Sequence, residues 1–354
     1  MKMKDDPARF VYALDDTLVR RYGEKIWGTY IWHDHCTSAK YLSHRIVVLG
    51  LVDRKRRVMV PIHWEIMHRE TETASTEQAP SKKEHEKGWL TAIRLFDETM
   101  SNGFPKLSFV ADSWFGCEEA FQRLTERGVD FVMEVRCNRK VVEAHRRKGI
   151  DIRVDQFFQG RARHNIYFHD KRRYAAEANL LFKDSTQKLK VVAVANGKNI
   201  ASNPYAYYIT NRLTWNASKV WGLWCDRWTV EVQFRELKQF FTLSGAAVRH
   251  ENAVKMQIFI AMLALTVIRL EQCLSVGANE DQYVRPKPAG VIVRELIADS
   301  YRKSITKLAH EKRGKPAREK IALRLQNKNL HTKPTEAKRI PKLLSPQGIQ
   351  PKAA

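Results

Sequence analysis

The chain has 354 residues, carries 62 Lys and Arg against 39 Asp and Glu for a formal charge of +23, and is 44% hydrophobic. That composition supports a sizeable core in one large or two ordinary domains and excludes a disordered polymer. The positive excess attracts polyanions, of which nucleic acid is the commonest; solubility alone or ribosome association are the bland alternatives. Five cysteines, Cys36, Cys117, Cys137, Cys225 and Cys273, are scattered without C-x-x-C spacing. Neither a zinc ribbon nor a disulfide framework is suggested, and a reducing cytoplasm is expected. No apolar signal segment opens the chain. The longest apolar stretch, 256–268, falls short of the roughly 20 residues of a membrane span and is expected to be a buried helix. No membrane partner is expected.

In chain order, the almost unbroken apolar run at 10–14 predicts a strand buried on both faces and ending at Asp15-Asp16-Thr17. Runs at 45–52 and 57–66 flank the charged turn Asp53-Arg54-Lys55-Arg56 and predict a hairpin. Residues 71–83, polar with one proline, read as a surface loop. Trp89, Ile93, Phe96 and Met100 then recur at helical spacing. A strand at 107–111 ends at Asp112, and a helix (117–127) and a strand (130–135) follow. From 138 to 214 the helical period disappears, and β-rich pieces at 166–168, 189–195 and 205–210 are expected to be separated by basic turns such as Lys171-Arg172-Arg173. A helix over 217–241, capped by Asn216 or Ser218, and an apolar helix over 253–274 come next. The tail from Arg302 holds 15 Lys or Arg and 3 Glu, a net +12, with five prolines. It is expected to be partly flexible, either simply solvated or in non-specific contact with DNA. The pattern is α/β, with a β-rich insertion ahead of an acidic helix.

Carboxylates where buried strands end project into the crevice in which open α/β sheets build their sites. A lone Asp in such a place is more often a turn former or a cap. The third acid strengthens the case. Projected at about 100° per residue, Trp224, Arg227, Glu231 and Lys238 fall within an arc of about 60°. Leu223, Val230, Phe234, Leu237 and Phe241 form the adjacent apolar stripe, and Glu236 projects elsewhere. One acid with two bases along a packed edge suits a site that binds metal and grips phosphate oxygens.

The spacing Trp224-x2-Arg227-x3-Glu231-x6-Lys238 resembles the Y-x2-R-x3-E-x6-K signature of DDE-type bacterial insertion-sequence transposases. It is similar to the branch with a β-strand insertion between the second Asp and the Glu, here 119 positions apart. Asp15-Asp16-Thr17 and Ala111-Asp112-Ser113-Trp114-Phe115-Gly116 resemble the first and second aspartate motifs, so the likeness covers about 10–270. It implies an RNase H-like mixed sheet flanked by helices. The catalytic core would span 1–137 and 215–275, the insertion 138–214, and a basic C-terminal region 276–354. It implies that Asp15, Asp112 and Glu231 are catalytic metal ligands for two Mg²⁺ ions, with Mn²⁺ possible. The D-x-T form of the first motif implies Asp15 rather than Asp16. Arg227 and Lys238 would contact DNA phosphates, and Trp224 would stand in the tyrosine's place, with an aromatic face but no hydroxyl. In some relatives a tryptophan of the insertion region stacks on a flipped base. Trp215 or Trp221 could do so, although burial in the core is the commoner fate of tryptophan.

The implied function is metal-dependent cleavage and strand transfer at a mobile element's ends, acting on double-stranded DNA (terminal repeats and target), as a homodimer, in the bacterial cytoplasm near the nucleoid. Only 14 residues precede Asp15, where such proteins usually carry a helical DNA-binding region. The alternative is therefore an inactive remnant that binds DNA without catalysis. A structural packaging protein is the third class, but it has no use for the acids. His33-Asp34-His35-Cys36 lacks a second ligand pair for a metal site. No phosphate-binding glycine loop or G-x-S-x-G is present.

Overall fold

The apolar run that begins at Phe10 forms the central strand of a mixed sheet. The computed structural model describes residues 6–23, 25–34, 37–67, 88–143, 152–159, 161, 163–168, 171–182, 187–197, 206–245, 248–275 and 287–310. The segment expected as a surface loop at 71–83 lies outside the described residues, as do His35, Cys36 and the tail beyond 310. The chain forms two compact units, Met1–Ala289 and Gly290–Ala354. Of the second, the described residues are those of helix α7 (Ala289–His310) from Gly290 onward.

The first unit opens with β1 (Phe10–Arg20), β2 (Tyr30–Asp34), β3 (Ala39–Asp53) and β4 (Val58–Ile66), followed by α1 (Gly88–Ser101), β5 (Ser108–Ala111), α2 (Glu118–Glu126) and β6 (Phe131–Val135). β3 pairs antiparallel with β1, β2 and β4. β1 pairs parallel with β5, and β5 with β6. The order β4-β3-β1-β5-β6, three antiparallel strands followed by two parallel ones, is the RNase H-like mixed α/β arrangement expected. Residues 138–214 contain β7 (Lys140–Glu143), β8 (Ile152–Arg153), α3 (Val154–Phe158), β9 (His164–Phe168), β10 (Lys171–Phe182), β11 (Lys188–Ala195) and β12 (Ala206–Thr210). Because β12 pairs antiparallel with β6, these strands extend the same sheet to twelve strands. Lys171-Arg172-Arg173, expected as a basic turn, lies inside β10 instead.

Period-two alternation sends Tyr12 and Leu14 to one face of β1 and Val11, Ala13 and Asp15 to the other. On the first face Phe96 of α1 sits edge-on to Tyr12 and Phe109, with ring centroids 5.8 and 5.9 Å apart. The Tyr12 hydroxyl donates to the Pro105 carbonyl at 2.8 Å, so its burial leaves no orphaned polar atom. The opposite face is covered by α4 (Ala217–Asp226), α5 (Trp228–Phe240) and α6 (Glu251–Ser275). These bury Val220, Leu223, Val230, Phe234, Leu237, Ile258 and Leu265.

Three further expectations are corrected here. β1 does not end at Asp15 but runs on to Arg20, paired residue by residue with β3 as far as Arg20↔Ser43. The apolar run marks burial on both faces rather than strand length. Beyond it the polar side chains find cross-strand partners: Asp16 takes two hydrogen bonds from Arg45, and Arg20 pairs with Asp34 at 3.1 Å. The helix expected over 217–241 is broken at Arg227. There the Thr229 hydroxyl donates to the Asp226 carbonyl at 2.8 Å, and the local backbone bonds tighten to i−3. Such back-bonding bends helices. Asn216 caps α4, accepting from the Lys219 N–H at 2.8 Å.

The third correction concerns α6, which is buried on one face only. Met256, Phe259, Ile260, Leu263, Val267 and Leu270 are about half exposed. Its residues Glu251–Cys273 also meet the length and composition of a membrane span, which the shorter run at 256–268 did not suggest. A helix apolar all round carries no moment to say which face is covered.

Glu236, which the helical projection set apart from Glu231, points into the packing between α5 and α6. Its carboxylate accepts from Arg269, whose other amino group donates to Gln272 at 2.8 Å. Removing one partner of such a pair strands a buried charge. Glu236→Ala is therefore expected to lower unfolding free energy by about 3 kcal/mol. Urea denaturation checks this, and a loss below about 1 kcal/mol would contradict a buried ion pair.

Candidate active site

The sheet register brings the two aspartates together. Parallel pairing of β1 with β5 ends at Leu14↔Ala111, so Asp15 and Asp112 are the next residues at the same level. The parallel pair β5–β6 ends at Ala111↔Met133, which brings Glu134 to that level too. Glu134 in turn pairs with Tyr208 on β12. Adjacent strands are about 4.8 Å apart. Three carboxylates and a phenol thus form one row across four strands, on the face covered by α4 and α5.

Each aspartate is oriented by local backbone. Asp15 accepts from the Asp16 N–H at 2.9 Å. Asp112 accepts from the Trp114 N–H at 2.9 Å, closing an Asx turn that carries the chain from β5 toward α2. Asp16 faces the other way and is neutralised by Arg45, whose guanidinium lies 3.6 Å from the Trp114 ring centroid. Asp15, one residue away on the strand, faces the helix-covered row instead.

Opposite the row stands Arg227, at the junction of α4 and α5. One amino group donates to Asp15, the other to Glu231 at 2.8 Å. The guanidinium stacks over Trp224, 4.6 Å from its centroid. Trp224 packs on Tyr208 with centroids 5.0 Å apart. The side chain of Arg227 is 13% exposed, and its Nε is buried without a hydrogen-bond partner.

Burial dominates the electrostatics. It pushes Asp15 up to about 7; Arg227 opposes the rise, while Asp112 and Asp16 add to it by repulsion. Burial and Asp16 raise Asp112, against the Trp114 N–H and Arg227. Glu134 is raised by burial and by Asp112 and lowered by Arg227. Burial disfavours the charge on Arg227, but Asp15, Glu231 and Asp112 outweigh it and keep the guanidinium protonated. A cluster with three acids in one row and one counter-cation calls for more positive charge.

Of the residues singled out in the sequence, Asp15, Asp112, Arg227, Glu231 and Trp224 share this site. Lys238 lies on α5 seven positions beyond Glu231, two helical turns along the same face. Among the described residues no three His, Cys, Asp or Glu side chains converge as a metal-holding group, and Arg227 stands between Asp15 and Glu231. Trp221 is buried, with Arg173 over its ring, and Trp215 is half buried beneath Lys219. Trp228, one turn before Glu231, is 63% exposed. Sequence reasoning missed Glu134, Tyr208 and the Arg45–Trp114 stack. A single charge inside the apolar strand Phe131-Val132-Met133-Glu134-Val135 was the available signal for Glu134.

A family model described as "DDE superfamily endonuclease" matches residues 4–198, more than half of the chain, including Asp15, Asp112 and Glu134. Glu231 lies beyond the matched segment. The cryo-EM structure of the piggyBac transposase synaptic complex with hairpin DNA is similar at a TM-score of 0.47 and 13% identity. The similarity covers 88% of this chain and 56% of that one. Comparison with curated protein sequences gives no match.

The raised Asp15 has a thermodynamic consequence. Between about pH 4 and pH 7 the folded state holds a proton that the unfolded chain releases, so stability falls as pH rises through that window. In chelator, Asp15→Asn is expected to reduce this fall, measured as melting temperature at pH 5 and pH 8. Residual slope comes from Asp112 and Glu134, which are raised in the same direction. Identical slopes in the variant and the parent would show that Asp15 titrates normally.

Proposed function

The chain belongs to the DDE superfamily of endonucleases, and from that premise we propose that it is a transposase core that cuts and rejoins DNA at the ends of a mobile element. The observation that carries this reading is the level placement of Asp15 and Asp112 on adjacent parallel strands, with Glu231 presented across from them on α5. Hard carboxylate oxygens in a buried, charge-deficient row fit a divalent cation. Asp15 and Asp112 would hold Mg²⁺ or Mn²⁺, and Glu231 would complete a two-ion site once Arg227 withdraws from between it and Asp15. Such ions, when bound, supply an activated hydroxyl nucleophile and stabilise the leaving oxygen of a phosphodiester.

The protein's own side chains do the rest. The Asx turn at Asp112 and the Asp16 N–H aim the two carboxylates. The covering helices limit water's access to the row, most fully at Asp15, which strengthens the charge interactions in it. Arg227, released from Asp15 and Glu231, and Lys238 further along α5 are assigned to phosphate oxygens; Trp224 supports Arg227 by cation–π contact. The net charge of +23 suits double-stranded DNA as both element end and target. A homodimer across two ends, a bacterial insertion-sequence origin of the β-insertion branch, and a cytoplasmic, nucleoid-associated location belong to the same proposal.

The test is cleavage and strand transfer on duplexes carrying the element's ends, with Mg²⁺ or Mn²⁺ and with chelator. Asp112→Asn and Glu231→Gln are each expected to cut the rate by about 10²–10³-fold or more while leaving salt-sensitive DNA binding in place. Binding without cleavage in the parent protein would make it a DNA-holding remnant. Cleavage that persists in both variants would rule out the three-acid mechanism.

A further inference from the structure

Arg227 already holds one oxygen of the Asp15 carboxylate, Oδ2, so a divalent cation entering at that oxygen competes with the guanidinium and repels it. On the functional reading above, the arginine must therefore move, and its 13% exposure means that it moves within the protein. Two features describe where. Its guanidinium rests on the Trp224 ring, and that ring leads onto Tyr208, the cross-strand partner of Glu134. Sliding over an aromatic face keeps the cation–π attraction throughout the path. The end of the path is a carboxylate with no cation of its own. Glu134 makes no hydrogen bond or ion pair with a described residue, although Arg227 already stabilises its charge from a distance. The present position of Arg227 is also imperfect, since its Nε is buried and unpaired, a state that costs free energy.

We propose that Glu134 is the berth for Arg227: when Asp15 is taken by a divalent cation, the guanidinium crosses Trp224 onto Glu134 and stays in the site as positive charge for a phosphate oxygen. Glu134 is then a positioning residue acting through Arg227, not a metal ligand. Without it the displaced arginine has no counter-charge and competes for Asp15, so metal loading weakens.

Calorimetric titration of the full chain with Mn²⁺ alone tests this, using the parent, Glu134→Gln, Arg227→Ala and the double variant, with unfolding in chelator to verify folding. Glu134→Gln is expected to weaken Mn²⁺ binding about tenfold when Arg227 is present, and by less than about twofold when residue 227 is alanine. Equal loss in both backgrounds would make Glu134 a direct ligand and overturn the berth. No loss in either background would overturn it as well. Should Glu134→Gln fail to fold, Glu134→Asp replaces it; this shorter acid is expected to give a smaller loss that again depends on Arg227. Asp112→Asn is the control for the underlying reading. Mn²⁺ binding at full strength in that variant would overturn the metal site itself, a result separable from any outcome at Glu134.

Discussion

Like charges held side by side away from water are the constraint around which this molecule is arranged. The parallel register of β1, β5 and β6 places Asp15, Asp112 and Glu134 at one level, and α4 and α5 cover them. Water screens their repulsion only weakly there, so protons or cations answer it. In the structure the answer is Arg227, and much of the neighbourhood serves to hold it. Trp224 carries its flat face, Tyr208 supports Trp224, and the bend between α4 and α5 turns it toward the sheet. A site built this way is complementary to positive charge in general, so under the proposed function a divalent ion would compete with the guanidinium for it.

The same helix shows how burial sorts chemically identical groups. Glu231 and Glu236 are five positions apart on α5. Glu231 is on the rim of the site, with its side chain about a third exposed and shared with Arg227. Glu236 is buried against α6 and locked to Arg269. One faces the site through Arg227; the other joins two helices. The two aspartates of the first motif divide in a similar way. Adjacent residues of a strand face opposite sides, so Asp15 reaches the helix-covered row while Asp16 is neutralised by Arg45. The Arg45 stack on Trp114 also ties Asp16 to the turn that presents Asp112, so the two aspartate motifs are mechanically joined.

Much of this was legible in the residues themselves. The hairpin of β3 and β4, the helix after it, β5, α2 and β6 all appear where apolar periodicity placed them, within a residue or two except at the start of β3. That strand begins six residues early, and β2, its edge partner, was not foreseen at all. Strand ends and helix breaks were less legible for a shared reason. β1 continues past Asp15 because Arg45 and Asp34 lie across from its polar residues, and neither partner is near in sequence. The kink at Arg227 arises from one hydroxyl on one carbonyl, a competition that periodicity does not register.

What the sequence determined by itself was the inventory: which acids follow the apolar runs at 10–14 and 107–111, which acid shares a helical edge with two bases, and a charge suited to a polyanion. Local spacing suffices for that, since strand alternation and helical rotation are properties of the backbone alone. Tertiary structure decided the rest. It placed Asp15, Asp112 and Glu134 in one row, put Arg227 between Asp15 and Glu231, and left one apolar face of α6 uncovered. These depend on inter-strand register and on which surfaces meet. Both are set by the summed packing of residues far apart in the chain, and no local pattern encodes that sum.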